Sequence, residues 1–313
     1  MHGITSFFLV LYKSEIIHRL STIITKRYKI ECAIGMEIEF YAIPKNTYKC
    51  NFIADLTKEL KQYGISVISE EEENQYEIKI PHTTNLCFLC KKVEICNKIL
   101  ANFNNYTIIT SPRPFPSKSS SSAQYNISLH TNSTNIFSES LITENKQLID
   151  HIDSILEMLN DALYFLLAQN DEEYTRFGSS IHTPLTISWG INNRTTAIRI
   201  PSSHCENRRI EFRIPSPQSP PENVILFLLI SILYKTVISP KKHYPPTYGN
   251  AHHLELYRNE LLHPSLKDAS ENFSLLNYTT LISNSVKEND YEMKNILSEI
   301  RALLFQYRAL SKL

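Results

Sequence analysis

Hydrophobic and polar residues alternate in short runs along much of the chain, and longer stretches repeat apolar residues at helical spacing. Alternation over residues 34–41 predicts a strand, and similar runs predict further strands at 76–80, 107–110, 124–129, 185–189, 197–200 and 210–214. Helical periodicity predicts helices at 51–63, 85–101, 145–169, 222–237 and 288–313, with Gly64 capping the first of them. Because these elements mix without regular βα alternation, the pattern predicts an α+β fold with a mostly antiparallel sheet.

Residues 1–30 form a lead-in that the pattern predicts to be irregular or partly helical, before a single domain over residues 31–313. Four basic residues lie in this segment, namely Lys13, Arg19, Lys26 and Arg27. An ordinary packing segment is the favoured interpretation, and contact with a partner or a membrane surface is the alternative. No apolar run reaches the roughly 20 residues that span a bilayer, so no membrane span is predicted. No cleavable signal peptide is predicted either.

The charge balance and the cysteines limit the classes of function. The 313-residue chain has 32 Lys and Arg against 32 Asp and Glu, and this neutral balance argues against a chain-wide grip on nucleic acid. Six cysteines in a chain of this length do not indicate a disulfide scaffold. Free thiols are typical of a reducing compartment, so we expect a cytoplasmic location.

Cys87 and Cys90 form a C-x-x-C pair that has two interpretations. A zinc site would need a second ligand pair, for which His82 and His204 are the candidates. The favoured interpretation is instead a helix whose apolar face includes these positions: Leu86, Cys90, Val93 and Leu100.

The polar faces of three predicted strands carry the residues most informative about chemistry. Alternation places Glu37 beside Glu39 on one strand, and Arg209, Glu211 and Arg213 together on another. A third strand presents Gln124, Asn126 and Ser128. Any single strand of this kind is also compatible with a solvated sheet face. Neighbouring carboxylates, however, repel unless a cation lies between them, and hard oxygen ligands suit Mg²⁺ or Mn²⁺. With arginines that can grip phosphate, the set indicates phosphoryl-transfer chemistry.

Four motifs in these regions resemble those of the glutamine synthetase family. In order along the chain they are GMEIEF at 35–40, SEEEENQYEI at 69–78, NRTTAIRIP at 193–201 and RRIEFRIP at 208–215. Their order and spacing agree with the family from about residue 33 to residue 240. The chain is therefore identified as a member of this family, covering its catalytic domain.

The resemblance implies a fold and a reaction. The fold is a curved, mostly antiparallel sheet that forms an open funnel, with helices outside. The reaction is ATP-dependent ligation of glutamate to ammonia or another amine, in which ATP phosphorylates the side-chain carboxylate and the amine attacks the acyl phosphate. The implied cofactors are two or more Mg²⁺ or Mn²⁺ ions, which offset the phosphate charge.

The resemblance also implies roles for individual residues. The metal on the glutamate side is matched by Glu39, Glu70 and Glu77, and the metal on the phosphate side by Glu37, Gln124 and Glu211. The implied catalytic residues are Arg194, Arg199 and His182. The implied substrate-binding residues are Arg176, Arg199 and Arg213, and the implied ATP-binding or phosphate-binding residues are Arg194, Arg209 and Asn126.

Three of the positions that depart from the family pattern bear directly on metal and ammonium binding. Gln124 and Asn126 replace the two histidines of an H-x-H strand, and a neutral amide is a weaker metal ligand than the first of those histidines. His182 stands where the family has a flap glutamate that helps to recruit ammonium. A histidine can accept a proton, but it lacks a fixed negative charge, so we expect poor use of ammonium.

Two further expectations concern organisation and activity. Only about 34 residues precede Gly35. We therefore expect the family's N-terminal β-grasp domain to be missing. The sequence is compatible with a homo-oligomer, but it does not predict the family's usual ring. A retained ligase is the favoured function. The alternative is a degenerate member that binds nucleotide, glutamate or a partner protein without turnover.

Overall fold

The computed structural model describes residues 2–45, 51–139 and 141–312, and it has an α+β architecture. The strands are β1 (Glu31–Pro44), β2 (Ser66–Ser69), β3 (Gln75–Thr83), β4 (Tyr106–Ile109), β5 (Ala123–Thr131), β6 (Thr134–Asn135), β7 (Trp189–Ile191), β8 (Ile198–Ile200) and β9 (Ile210–Phe212). The helices are α1 (His2–Tyr28), α2 (Phe52–Lys61), α3 (Leu86–Ala101), α4 (Lys146–Leu166), α5 (Glu172–Thr175), α6 (Pro221–Val237), α7 (Leu254–Tyr257), α8 (Leu266–Glu271), α9 (Leu275–Ser285) and α10 (Tyr291–Leu310). A 3-10 turn covers Cys205–Asn207.

The strands join into one sheet with the order β2-β3-β1-β5-β9-β8-β7, and β4 and β6 pair with β1 and β5. Every pairing is antiparallel except that of β7 with β8. The prediction of an α+β fold with an open, mostly antiparallel sheet is therefore confirmed.

The apolar face of the sheet packs against the helices. Met36, Ile38 and Phe40 on β1 are buried there, and the ring of Phe212 on β9 stacks on Phe227 of α6 with centroids 5.8 Å apart. The α6 helix is apolar around its whole circumference and is buried between its neighbours, as expected of a helix without a polar face. Its start follows from Pro221, which fits the first turn of a helix because no intrahelical bond needs its missing N–H.

Most predicted elements are confirmed, and three details were wrong. Residues 2–28 form one continuous helix, where an irregular or partly helical segment was predicted, and its buried residues Ile16, Ile17 and Leu20 belong to the main hydrophobic core. This agrees with the packing interpretation of the lead-in, while the domain boundary at residue 30 stays a prediction. The strand predicted at 185–189 begins only at Trp189, because the preceding residues make loop contacts such as the bridge between Thr186 and Leu261.

The third detail concerns the end of α2. Gln62 caps the helix, and Gly64 follows two residues later with a left-handed φ of 65°. Glycine adopts this conformation without steric cost, so Gly64 reverses the chain toward β2.

The face predicted for α3 is confirmed, since Leu86, Cys90, Val93 and Leu100 are all buried. The five cysteines within the described ranges are free thiols, and Cys50 lies outside those ranges. Over the same residues, no helix combines the length and apolar character that a membrane crossing requires.

Candidate active site

The register of the sheet brings the predicted site residues together on its polar face. Glu39 of β1 is the cross-strand partner of Glu77 on β3, and Glu37 is the partner of Gln124 on β5. In the adjoining pairs, Glu211 of β9 lies opposite Asn126 and Arg199. Residues far apart in the chain therefore become neighbours on the polar face of the adjacent strands β3, β1, β5, β9 and β8.

This polar face forms the floor of a cavity of about 810 Å³. The predicted site residues that line it are Glu37, Glu39, Glu70, Glu77, Gln124, Arg176, His182, Arg194, Arg199, Arg209, Glu211 and Arg213. Asn126 is the exception, because it lines an adjoining cavity of about 580 Å³ that shares Glu37 and Arg209 with the first. Arg209 connects the two cavities, since its Nε donates a hydrogen bond of 2.7 Å to Asn126 Oδ1.

Glu39 accepts three hydrogen bonds on the glutamate side. Its Oε2 accepts hydrogen bonds from the Ser122 backbone N–H at 2.8 Å and from the Ser122 hydroxyl at 3.0 Å. Its Oε1 accepts one from Gln124 Nε2 at 3.1 Å. Burial nevertheless raises the pKa of Glu39 to about 7, which shows that these neutral donors do not offset the loss of water.

Glu37 and Glu77 also lack enough neighbouring positive charge to offset the effect of burial on their pKa values. Burial, followed by the charges of Glu77 and Glu211, raises the pKa of Glu37. Burial also raises the pKa of Glu77, although Lys79 Nζ lies 2.8 Å from its Oε2 and opposes the shift. Three clustered carboxyls with raised pKa values can accommodate a divalent cation, which would stabilise their ionised forms. Within the described ranges, however, no three His, Cys, Asp or Glu side chains stand ready as a ligand group.

The phosphate side is arranged differently, because its carboxylate is already paired. Glu211 is buried, and its Oε1 and Oε2 lie 2.6 Å from Arg213 Nη1 and 2.9 Å from Arg199 Nη1. Arg213 Nη1 also donates to Gln124 Oε1 at 3.0 Å. The oxygen of Gln124 that a metal would need is thus used by a guanidinium.

Arginines also line the cavity, and three of them have a donor without a partner. Arg176 is buried and donates through Nη2 to the carbonyls of Arg213, Ile214 and Pro215, so it holds the chain that follows β9. Among the described residues, the Nε atoms of Arg176, Arg199 and Arg213 have no hydrogen-bond partner, and they are enclosed by protein. Unpartnered buried donors cost stability, so these arginines are held in place at a cost to the fold.

The flap position is exposed, unlike the buried residues of the cavity floor. His182 contributes its backbone oxygen to Arg213 Nη2, at 3.1 Å, while its side chain is exposed at the cavity. Arg194 is exposed as well, near Arg199. The structure thus brings every predicted residue except Asn126 into one cavity.

Three contributing residues were not predicted. Ser122 anchors Glu39, Lys79 pairs with Glu77, and Asn192 accepts a hydrogen bond of 2.6 Å from Arg199 Nη2 through its Oδ1. Lys79 could have been found from the alternation of β3, because it lies two residues after Glu77 and therefore on the same face. No local signal marks Ser122 or Asn192, which lie in or beside loops.

Comparison with known proteins identifies relatives of the same kind. A family model described as "Glutamine synthetase, catalytic domain" matches residues 6–274. Gamma-glutamylputrescine synthetase of Escherichia coli is 26% identical over 171 residues, covering 53% of this chain and 36% of its own length. Glutamine synthetase of Thermotoga maritima is 26% identical over 231 residues, covering 69% of this chain and 52% of its own length. The chain thus spans about a third to a half of these curated relatives.

Solved structures show the same fold. Glutamine synthetase of Plasmodium falciparum superposes with a TM-score of 0.67 at 17% identity, over 95% of this chain and 77% of its own. GmaS in complex with ADP superposes with a TM-score of 0.68 at 14% identity, over 96% of this chain and 74% of its own. With the family match covering most of the sequence, the chain belongs to the glutamine synthetase family and corresponds to its catalytic domain.

Proposed function

We propose that this chain is an ATP-dependent ligase that joins the side-chain carboxylate of glutamate to ammonia or another amine. The observation that carries the proposal is the convergence of the five predicted glutamates and five predicted arginines on one cavity, within a glutamine synthetase catalytic fold. They are Glu37, Glu39, Glu70, Glu77, Glu211, Arg176, Arg194, Arg199, Arg209 and Arg213. A cluster of acidic and basic side chains is more typical of a site for a metal-bound phosphate than of a sheet face exposed to solvent.

In this proposal Glu39, Glu70 and Glu77 hold Mg²⁺ or Mn²⁺. Such an ion, when bound, offsets the negative charge of ATP and of the glutamyl phosphate. The chain's own residues do the rest. Arg176, Arg199 and Arg213 line the cavity and bind carboxylate or phosphate oxygens through their guanidinium groups, and Ser122 fixes the orientation of the Glu39 carboxylate. The free cysteines agree with the expected cytoplasmic setting.

One observation favours a second candidate, a protein that binds nucleotide or glutamate without turnover. Both oxygens of Glu211 are paired with arginines, and Gln124 bridges Arg213 and Glu39. A closed network of this kind stabilises the fold whether or not catalysis is retained. Turnover therefore has to be measured to separate the two candidates.

The test is release of ADP and phosphate with glutamate, ATP and a panel of amines. We expect turnover with at least one amine, and we expect Glu77→Gln to abolish it because that change removes a ligand charge while keeping the side-chain shape. The matched control is Glu59→Gln on the exposed face of α2, which should leave turnover unchanged. Binding of ATP without turnover for any amine would favour the second candidate.

A further inference from the structure

The buried ion pairs around Glu211 occupy the place in which the family resemblance puts a second metal. Glu211 is only 2% exposed, and each of its carboxylate oxygens has a guanidinium partner within 2.9 Å. Two arginine charges therefore meet one carboxylate charge, which leaves no negative charge unpaired at that carboxylate. A divalent cation placed there would face both guanidinium groups at close range.

Gln124 completes this arrangement because it carries both a donor and an acceptor. Its Nε2 donates to Glu39 Oε1 at 3.1 Å and to the Ser122 hydroxyl at 3.2 Å, while its Oε1 accepts from Arg213 Nη1 at 3.0 Å. The amide therefore connects the glutamate-side carboxylate to the guanidinium beside Glu211. A neutral histidine at this position would instead offer a ring nitrogen to a metal.

Sheet register explains why these groups meet. Glu37 pairs with Gln124 across β1 and β5. The register of β5 with β9 aligns Asn126 with Glu211. Continuing that register by two residues places Arg213 opposite Gln124. Arg213 is further held by the His182 carbonyl through Nη2. The guanidinium is thus fixed from three directions in a buried position, which is the environment in which an ion pair is hard to displace.

We infer that the guanidinium groups of Arg213 and Arg199 replace the phosphate-side metal in this protein, so that the cavity holds a single divalent ion on the glutamate side. The donor set on the phosphate side is reduced to the single carboxylate of Glu37, since the oxygens of Glu211 and Gln124 are committed to arginines, and one carboxylate is too few ligands for a divalent ion. This inference rests on the proposed function only for the presence of the first metal. It is tested by binding and not by turnover.

The experiment measures Mn²⁺ stoichiometry on the full chain with manganese chloride alone, using equilibrium dialysis and the electron paramagnetic resonance signal of free Mn²⁺. We expect one site in the unmodified chain. Gln124→His, which supplies a ring nitrogen and removes the bridge, should add a second site, and so should Arg213→Met, which frees Glu211 Oε1 and Gln124 Oε1. The matched control is Gln75→His, a buried residue of the same cavity that binds the Ser120 carbonyl; it should add none.

Two sites in the unmodified chain would overturn the inference. So would the absence of a second site in both Gln124→His and Arg213→Met, or an equal gain in Gln75→His. An unmodified chain that binds no Mn²⁺ would contradict the proposed function instead. In that case a site gained only by Gln124→His or Arg213→Met would still support the inference.

Discussion

Glu39 and Glu77 face each other across the β1–β3 pair, and the charge of Glu77 adds to burial in raising the pKa of Glu39. Like charges directly opposite each other destabilise a sheet unless something compensates for them. Here Ser122 and Gln124 bind Glu39, and Lys79 pairs with Glu77. The pair therefore costs stability in the free protein and provides ligand oxygens to an incoming cation.

This pair leads to a prediction about metal affinity. Glu77→Ala removes a carboxylate from the glutamate side, whereas Gln124→Ala removes only a neutral amide. We expect Glu77→Ala to weaken Mn²⁺ binding by about tenfold or more and Gln124→Ala to change it less. Titration of Mn²⁺ against both variants checks this, and a larger loss from Gln124→Ala would contradict the assignment of the metal to Glu39, Glu70 and Glu77.

The second prediction concerns the choice of amine. His182 presents an imidazole at the cavity in place of a carboxylate, so no fixed negative charge there attracts ammonium. We expect slow turnover with ammonium at neutral pH, faster turnover with hydroxylamine, and a higher rate with ammonium in His182→Glu. The backbone contact of residue 182 with Arg213 does not depend on the side chain, so the flap should keep its place in this variant.

Phosphate release with each amine from pH 6 to pH 9 provides the measurement. His182→Gln is the matched control, because it changes the side chain without adding charge. Efficient use of ammonium by the unmodified protein at pH 7 would refute this role of His182.

The third prediction concerns stability in acid. His151 of α4 is fully enclosed, its Nδ1 hydrogen-bonds to the Gln147 carbonyl at 2.7 Å, and burial lowers its pKa to about 3. Below the ordinary histidine pKa of about 6.5, the unfolded chain gains a proton that the folded chain does not bind. The free energy of unfolding should therefore fall as the pH drops, by about 2 kcal/mol at pH 5 from this residue.

The measurement is urea unfolding at pH 7.5 and pH 5. We expect His151→Leu to lose less stability than the unmodified chain between these two pH values. His18→Leu in α1 is the control, because it makes the same change of residue type at an exposed position. Equal pH dependence in the unmodified chain and in His151→Leu would rule out this source of acid sensitivity.

The fourth prediction compares two glycines. A Cβ at Gly190 would lie 2.6 Å from the Thr247 carbonyl oxygen and 2.7 Å from Asn193 Cβ, so Gly190→Ala should cost about 2 kcal/mol as backbone and side chain move apart. Gly64 has open space around it but a φ of 65°, so Gly64→Ala should cost only about 1 kcal/mol from the left-handed conformation. Unfolding free energies of the two variants provide the check, and equal losses would contradict the steric argument.

The chain order of polar and apolar residues was sufficient to predict which side chains share a strand face. Successive side chains of a strand point to opposite faces, so Glu37 and Glu39, or Glu211 and Arg213, had to emerge together. A second local rule, the helical spacing of apolar residues, predicted the buried face of α3 and the extents of α4 and α6 to within a few residues. Four motifs in order were then sufficient to predict the family and many of the glutamates and arginines that line the cavity.

Only the tertiary structure decided which of these faces meet and how their charges pair. Cross-strand register places Glu39 against Glu77 and brings Arg213 within reach of Gln124, and register depends on contacts between segments far apart in the chain. Burial, which raises the pKa of Glu39 and lowers that of His151, likewise depends on the packing of distant elements. The continuous α1 follows from such packing too, because its apolar residues are covered by the core that α6 and α10 complete.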